Sequence, residues 1–149
     1  MDKKGYSVKW CAIVPATLAV VAVAVPVLMA RAPEIGFALQ RAFSLVCHQQ
    51  PERSLVLFGG TVAVCARCLG IYLGAAAGLL LRLPRQLAWR LFLAAASVNA
   101  LDWLAELSSL HGNWMFARLA LGIALGATAA MLVVASTETI EIPPRSTAA

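Results

Sequence analysis

Three cysteines and one histidine carry the clearest chemical signal in this 149-residue sequence. Cys65 and Cys68 form a Cys-x-x-Cys turn, which directs two thiolates toward one point in the tetrahedral geometry that zinc adopts. Cys47 and His48 precede this turn and offer one sulfur and one nitrogen ligand. We therefore expect a metal site, with zinc as the most suitable ion, built from Cys47, His48, Cys65 and Cys68.

The same cluster also has a redox interpretation. In an oxidising compartment Cys65 and Cys68 would form a disulfide, and four-helix membrane enzymes that pass electrons from thiols to quinone use two cysteine pairs. The remaining cysteine, Cys11, lies at the opposite end of the first apolar run and is expected to be an ordinary buried thiol. The cluster therefore has an odd number of thiols, which favours a metal. Inert thiols are a third interpretation. If His48 does not bind the metal, water can fill the fourth position, which is typical of catalytic zinc.

The composition indicates that these residues belong to a membrane protein. Apolar residues make up 61% of the sequence and charged residues 13%, and the mean hydropathy is +0.81. This composition excludes a disordered chain, a nucleic-acid-binding domain and an ordinary soluble enzyme. The net charge of +5 is explained by basic residues that mark the cytoplasmic ends of membrane helices.

Four apolar runs are long enough to cross a hydrocarbon core of about 30 Å as helices. They cover approximately residues 10–30, 65–83, 87–107 and 114–136. Basic residues are concentrated at the N-terminus, in the turn between the second and third runs and in the C-terminal tail, so both termini are predicted to be cytoplasmic. We expect one all-α, four-span domain over residues 1–136 in the prokaryotic cytoplasmic (inner) membrane, and a disordered tail over residues 137–149.

The long connection between the first two predicted spans, residues 31–64, contains two structural signals. Apolar residues recur at helical spacing in its first half and predict an amphipathic helix in the outer membrane interface. These residues are Ile35, Leu39, Ala42, Phe43 and Val46. Two β-prone runs then flank Gly59–Gly60 within residues 54–64, which is typical of a hairpin with a two-residue turn. The alternative is that residues 54–64 begin a long, tilted second helix.

Small residues repeat every four positions in two of the predicted spans. Gly70, Gly74 and Gly78 lie in the second span, and Gly122 and Gly126 lie in the fourth. This Gly-xxx-Gly spacing favours close helix contacts, either within the chain or with another membrane subunit or a second copy. The expected partners are therefore the lipid bilayer, a lipid or quinone ligand and other membrane subunits, and no nucleic acid.

Charged residues inside the predicted spans mark a second candidate site. Asp102 and Arg118 lie at similar depths, where a charge costs at least about 2.5 kcal/mol. They could form a structural ion pair, or Asp102 could join Asn99 and Glu106 on one helix face to form a polar pocket for a headgroup, a proton or a substrate. Arg67 either extends toward lipid headgroups or neutralises a zinc–thiolate centre. Asp102, Arg118 and Arg67 are thus the candidate catalytic residues.

Four short motifs resemble those of a family of small prokaryotic membrane proteins catalogued as a domain of unknown function. They are Cys47-His48-Gln49, Pro51-Glu52-Arg53-Ser54, Cys65-Ala66-Arg67-Cys68 and Gly70-Ile71-Tyr72. The resemblance covers about residues 40–126. It implies a shared site without implying a reaction, and the implied site residues are Cys47, His48, Arg53, Cys65, Arg67, Cys68, Asp102 and Arg118.

Three classes of function remain open from the sequence. The first is a membrane protein with a zinc site and a binding or scaffold role. The second is a membrane enzyme, either zinc-dependent or thiol-redox, that acts on a lipid or a quinone. The third is a small ion-coupled transporter that uses Asp102.

Overall fold

The computed structural model describes residues 3–108, 112 and 114–138, with side chains described from residue 11 to residue 137 within these ranges. The chain is mostly helical, with five α-helices in the described part. The elements are α1 (Lys3–Arg31), α2 (Pro33–Ser44), β1 (Val56–Leu57), β2 (Gly60–Thr61), α3 (Ala66–Gly78), α4 (Arg85–Leu107) and α5 (Met115–Glu138). The predicted tail, apart from residues 137–138 in α5, lies outside the described residues.

Two of the described helices have the length and apolar composition of a membrane span. They are Cys11–Arg31 within α1 and Met115–Thr137 within α5, close to the predicted runs 10–30 and 114–136. Helix α4 has 23 residues and matches the predicted run 87–107, but it contains four charged side chains. Helix α3 has only 13 residues, about 20 Å at 1.5 Å per residue, and ends at Gly78 rather than at Leu83. The prediction of a helix over the whole run 65–83 is therefore wrong.

The most extensive helix contact joins α3 to α5, and glycine makes it possible. Five glycines lie where a methyl group would collide with a backbone carbonyl oxygen of the other helix: Gly70, Gly74, Gly78, Gly122 and Gly126. The absence of side chains lets the two backbones approach closely. The two predicted Gly-xxx-Gly faces therefore meet each other within one chain.

The other helices extend this pair sideways. Helix α1 contacts the pair by packing against α3, and α4 contacts it by packing against α5. Helix α2, the amphipathic helix predicted from the sequence, folds back on α1, with Gly36 placed where a methyl group would collide with Met29. The main apolar core lies between α1, the end of α2, the hairpin and the start of α3.

Residues 54–64 contain a hairpin, which excludes the alternative of a long second helix. Val56 pairs with Thr61 and Leu57 with Gly60, so the turn residues are Phe58 and Gly59. Both have left-handed backbones, with φ of 54° and 80°, as in a type I′ turn. The turn lies one residue before the predicted Gly59–Gly60. Gly60 is a strand residue instead, and it packs closely on α1, where a Cβ would lie 3.1 Å from Pro26.

Pro26 also determines where the segment after the hairpin docks. Proline has no backbone N–H, so the Ala22 carbonyl four residues earlier loses its helical donor. The N–H of Ala63 donates to this carbonyl at 3.2 Å, and both alanines are fully buried. The segment that leads to Cys65 is thereby attached to the middle of α1.

Candidate metal centre

Cys47, Cys65 and Cys68 form a cluster whose three Sγ atoms all lie within 4.8 Å of one another. Cys47 is buried, with 6% of its surface exposed, and the other two are half-buried. Two sulfurs bound to one tetrahedral zinc ion at about 2.3 Å lie about 3.8 Å apart. The cluster therefore needs only small side-chain adjustments to hold an ion.

Hydrogen bonds in the loop after α2 position Cys47. Gln49 has a left-handed backbone with φ of 49°, and its side-chain amide donates to the Gln40 carbonyl at 2.7 Å. The Gln40 amide donates in return to Gln49 Oε1 at 3.0 Å. The buried Ser54 hydroxyl donates to the Gln50 carbonyl at 3.0 Å. These bonds fix the loop at both ends and hold Cys47 against the hairpin.

The beginning of α3 positions the other two thiols. Cys65 is the N-cap residue of α3 and Cys68 lies in its first turn, where the helix dipole stabilises a thiolate. The thiols of Cys65 and Cys68 donate to Cys47 Sγ. Two backbone N–H groups also donate to this sulfur: that of Cys65, at 3.2 Å, and that of Gln49. These donors lower the pKa of Cys47 well below its ordinary value. The surroundings thus favour a thiolate on Cys47 before any metal binds.

Five charged side chains from four segments converge beside the cysteines, and we call them the arginine–carboxylate network: Arg53, Arg67, Arg118, Asp102 and Glu106. Arg67, between the two cysteines of the turn, is ion-paired with Asp102 of α4. Glu106 is shared by two arginines, at 2.7 Å from Arg118 of α5 and 2.5 Å from Arg53. The Arg118 side chain is only 4% exposed and that of Arg53 is 41% exposed, so the network extends from the protein interior to its surface.

The network gives Asp102 and Arg118 partners other than each other. A pair between these two residues was one alternative left open by the sequence, whereas the structure pairs Asp102 with Arg67 and Arg118 with Glu106. Arg53 was predicted only through the family resemblance, and its ion pair with Glu106 was missed. The available signal was the four-residue spacing of Asp102 and Glu106, which places two carboxylates on one face of α4.

A cavity of about 390 Å³ opens beside the cysteine cluster. All three cysteines line it, together with His48, Arg53, Arg67 and Trp103. His48 is exposed, and its ring nitrogens are not part of the group within 4.8 Å. The structure therefore brings three of the four predicted metal ligands together and leaves the fourth on the cavity wall.

Cys11 is separate from this site. It is exposed on α1 and does not belong to the described cluster, in agreement with its assignment to the other end of the first span. It was expected to be buried, and its exposed position on α1 is a correction to that expectation. Cys11 therefore provides a matched control for the other thiols.

Comparison with known proteins gives a family and two relatives. The family model described as "Predicted membrane protein (DUF2085)" matches residues 47–132, which include the whole cysteine cluster. The chain is 34% identical over 104 residues to "Uncharacterized protein MJ1492" of Methanocaldococcus jannaschii, covering 63% of this chain and 65% of the relative. It is 52% identical over 33 residues to an "Uncharacterized protein" of Methanothermobacter thermautotrophicus, covering 22% and 30%.

These matches leave part of each relative uncovered, since the chain spans less than two thirds of the length of either. No solved structure matches the chain. The family match covers more than half of the sequence and contains both the cysteine cluster and the network's carboxylates. The chain therefore belongs to the family of predicted membrane proteins described as DUF2085.

Proposed function

We propose that this protein is an integral membrane protein that binds one thiophilic metal ion, zinc in the first instance, through Cys47, Cys65 and Cys68. The observation that carries the proposal is the approach of three sulfurs, from two separate chain segments, to within 4.8 Å. A disulfide would use two of these thiols and leave the third without a partner. A metal ion uses all three.

Electrostatics supports the same assignment. Three thiolates around a divalent ion carry one net negative charge, which the start of α3 and the Arg67 guanidinium beside it would stabilise. The two backbone N–H groups that point at Cys47 Sγ act in the same direction. Zinc is the safer choice among thiophilic ions, because it suits sulfur-rich tetrahedral sites.

Metal analysis of the detergent-purified full chain tests this proposal. The wild type and Cys11→Ser are expected to contain one metal ion per chain, and Cys65→Ser and Cys68→Ser to lose most of it. A metal-free wild type in which mass spectrometry finds a Cys65–Cys68 disulfide would refute the proposal in favour of thiol redox chemistry.

A zinc-dependent membrane enzyme acting on a lipid or quinone is the second candidate, and the cavity is the observation that favours it. Three sulfurs leave the fourth position to His48, which would close the site, or to water, which would leave it open for catalysis. The absorption spectrum of the Co²⁺-substituted protein distinguishes these cases. An unchanged spectrum in His48→Ala supports the open site, whereas a large change supports a closed, structural one. Asp102 is already ion-paired with Arg67, so the transporter hypothesis gains no support.

We also propose that the chain crosses the membrane four times and that its second crossing is discontinuous. Ala22, where the hairpin segment docks, is nine residues before Arg31, about 13 Å from the end of α1. The sum of this depth and the length of α3, about 20 Å, is close to the thickness of one hydrocarbon core, about 30 Å. Non-helical backbone at such depth is tolerated where protein buries it, and Val62, Ala63 and Val64 are all buried.

In this arrangement both termini are cytoplasmic, the cysteine cluster faces the outer leaflet, and the membrane is the prokaryotic inner membrane. Reporter fusions test the topology. A reporter at the C-terminus is expected to read as cytoplasmic, and one in the loop that contains Gln50 as external. A C-terminal reporter that reads as external would overturn the orientation.

A further inference from the structure

The arginine–carboxylate network does not balance its own charge. It contains three guanidinium groups and only two carboxylates, because Glu106 serves both Arg53 and Arg118. Asp102 and Glu106 are 13% and 17% exposed, so water screens these charges weakly. The network therefore places one excess positive charge next to the cysteine cluster.

Two arginines of the network lie beside the cysteine cluster. Arg67 lies in the turn between Cys65 and Cys68, and both Arg53 and Arg67 line the cavity onto which the cysteines open. Neither Asp102 nor Glu106 is among the described residues that line it. Two of the network's three guanidinium-bearing residues therefore border the same cavity as the cysteines.

The net charge of a three-thiolate centre depends on the ion that it holds. A divalent ion such as Zn²⁺ leaves one negative charge, whereas Cu⁺ leaves two. Sulfur ligands alone do not exclude Cu⁺, since soft thiolates bind it well. Some other feature of the site must distinguish the two ions.

We propose that the arginine–carboxylate network tunes the preference of the cysteine cluster between ions of different charge, and that its excess positive charge raises the affinity for a monovalent ion such as Cu⁺ relative to a divalent ion such as Zn²⁺. This inference rests on the proposed metal site and adds the property that determines its specificity. The excess positive charge attracts the Cu⁺ centre, which carries two negative charges, more strongly than the Zn²⁺ centre, which carries one. Changing the network by one charge therefore changes the preference between the two ions.

The size of the effect follows from Coulomb's law. Two unit charges about 10 Å apart, at an effective dielectric constant of about 20, change an equilibrium roughly tenfold. Each unit of network charge is thus expected to alter the ratio of Cu⁺ affinity to Zn²⁺ affinity by roughly tenfold.

Competition titrations on the detergent-purified full chain test this, with Zn²⁺ and with Cu⁺ under anaerobic conditions, each against a chelator of known affinity. Glu106→Gln raises the excess charge by one and is expected to increase the Cu⁺/Zn²⁺ affinity ratio. Arg53→Gln removes the excess and is expected to decrease it. Arg53→Lys preserves the charge, and Arg90→Gln changes an exposed charge near the other end of α4, so both should retain the wild-type ratio.

The outcomes separate this inference from the proposal on which it rests. A wild type that binds neither ion refutes the metal site itself. Variants that bind both ions with the wild-type ratio refute only the charge-selection inference. Glu106→Gln could prevent folding because Arg118 would lose a buried partner. In that case Arg53→Gln tests the charge inference by itself. The Arg53 side chain is 41% exposed, and its removal leaves the Arg118–Glu106 pair intact.

Discussion

Arg67, which lies between the two cysteines of the Cys-x-x-Cys turn, is ion-paired with Asp102 of α4. Helix α4 provides no cysteine, and its main packing partner is α5. The ion pair therefore connects α4 directly to the cysteine cluster. This connection gives α4 an influence on the site that packing between α4 and α5 alone would not give.

Asp102→Asn is expected to destabilise the fold by about 1–3 kcal/mol, because Arg67 would lose its carboxylate. This destabilisation is smaller than that expected for a fully buried pair, since the Arg67 side chain is 23% exposed. Unfolding in mixed micelles measures it. A double-mutant cycle with Arg67→Gln provides the control, and purely additive effects would mean that the two side chains are not coupled.

Metal removal is expected to lower the thermal unfolding temperature of the protein. An ion bound only by the folded state stabilises that state, and here it would join the loop after α2 to the start of α3. Unfolding scans with and without a zinc chelator measure the change. Cys11→Ser should respond like the wild type, and Cys68→Ser should not respond. An equal response in Cys68→Ser would show that the chelator acts elsewhere.

Gly74→Ala is expected to destabilise the contact between α3 and α5 by about 1–3 kcal/mol, since the new methyl group collides with the Ile123 carbonyl. Gly112→Ala is the matched control, because a Cβ at Gly112 meets no atom within 4 Å. Unfolding of both variants in mixed micelles tests the difference. Equal stability of the two variants would contradict the close approach of the helices.

Pro26→Ala is expected to weaken the docking of the hairpin segment. The new N–H at position 26 can donate to the Ala22 carbonyl and compete with the Ala63 N–H. Hydrogen exchange of the peptide that contains Ala63 should therefore become faster. Pro15→Ala, in the same helix, should leave this exchange unchanged. Unchanged exchange in Pro26→Ala would mean that the missing N–H does not determine the docking site.

The parts of the structure that the sequence predicts well depend on local spacing. The Cys-x-x-Cys turn brings Cys65 and Cys68 together because the first turn of a helix fixes their separation. The apolar runs of α1 and α5 are continuous and long, so their positions follow from composition alone. The Gly-xxx-Gly spacing similarly predicts a close helix contact before its partner is known.

The parts that the sequence does not predict depend on relations between helices. Arg67 and Arg118 lie at depths in the membrane similar to that of Asp102, so the sequence does not show which of them pairs with it. The packing of the helices decides this, and Arg67 is the partner. The end of α3 was overestimated because apolar residues continue to Leu83, and hydropathy does not distinguish a helix from an apolar turn. The hairpin turn lies one residue before the predicted position, because Val56 pairs with Thr61 and Leu57 with Gly60, a register that the glycine pair alone does not define.

The contact between α3 and α5 has a consequence for the order of biosynthesis. Helix α3 is too short to cross a bilayer alone. Its glycines contact α5, which follows α4 in the sequence. The ribosome therefore completes all three cysteines long before it produces the surface on which α3 rests. The cysteine cluster can reach its final geometry only after α5 has been synthesised, so loading of the proposed metal ion would follow the synthesis of α5.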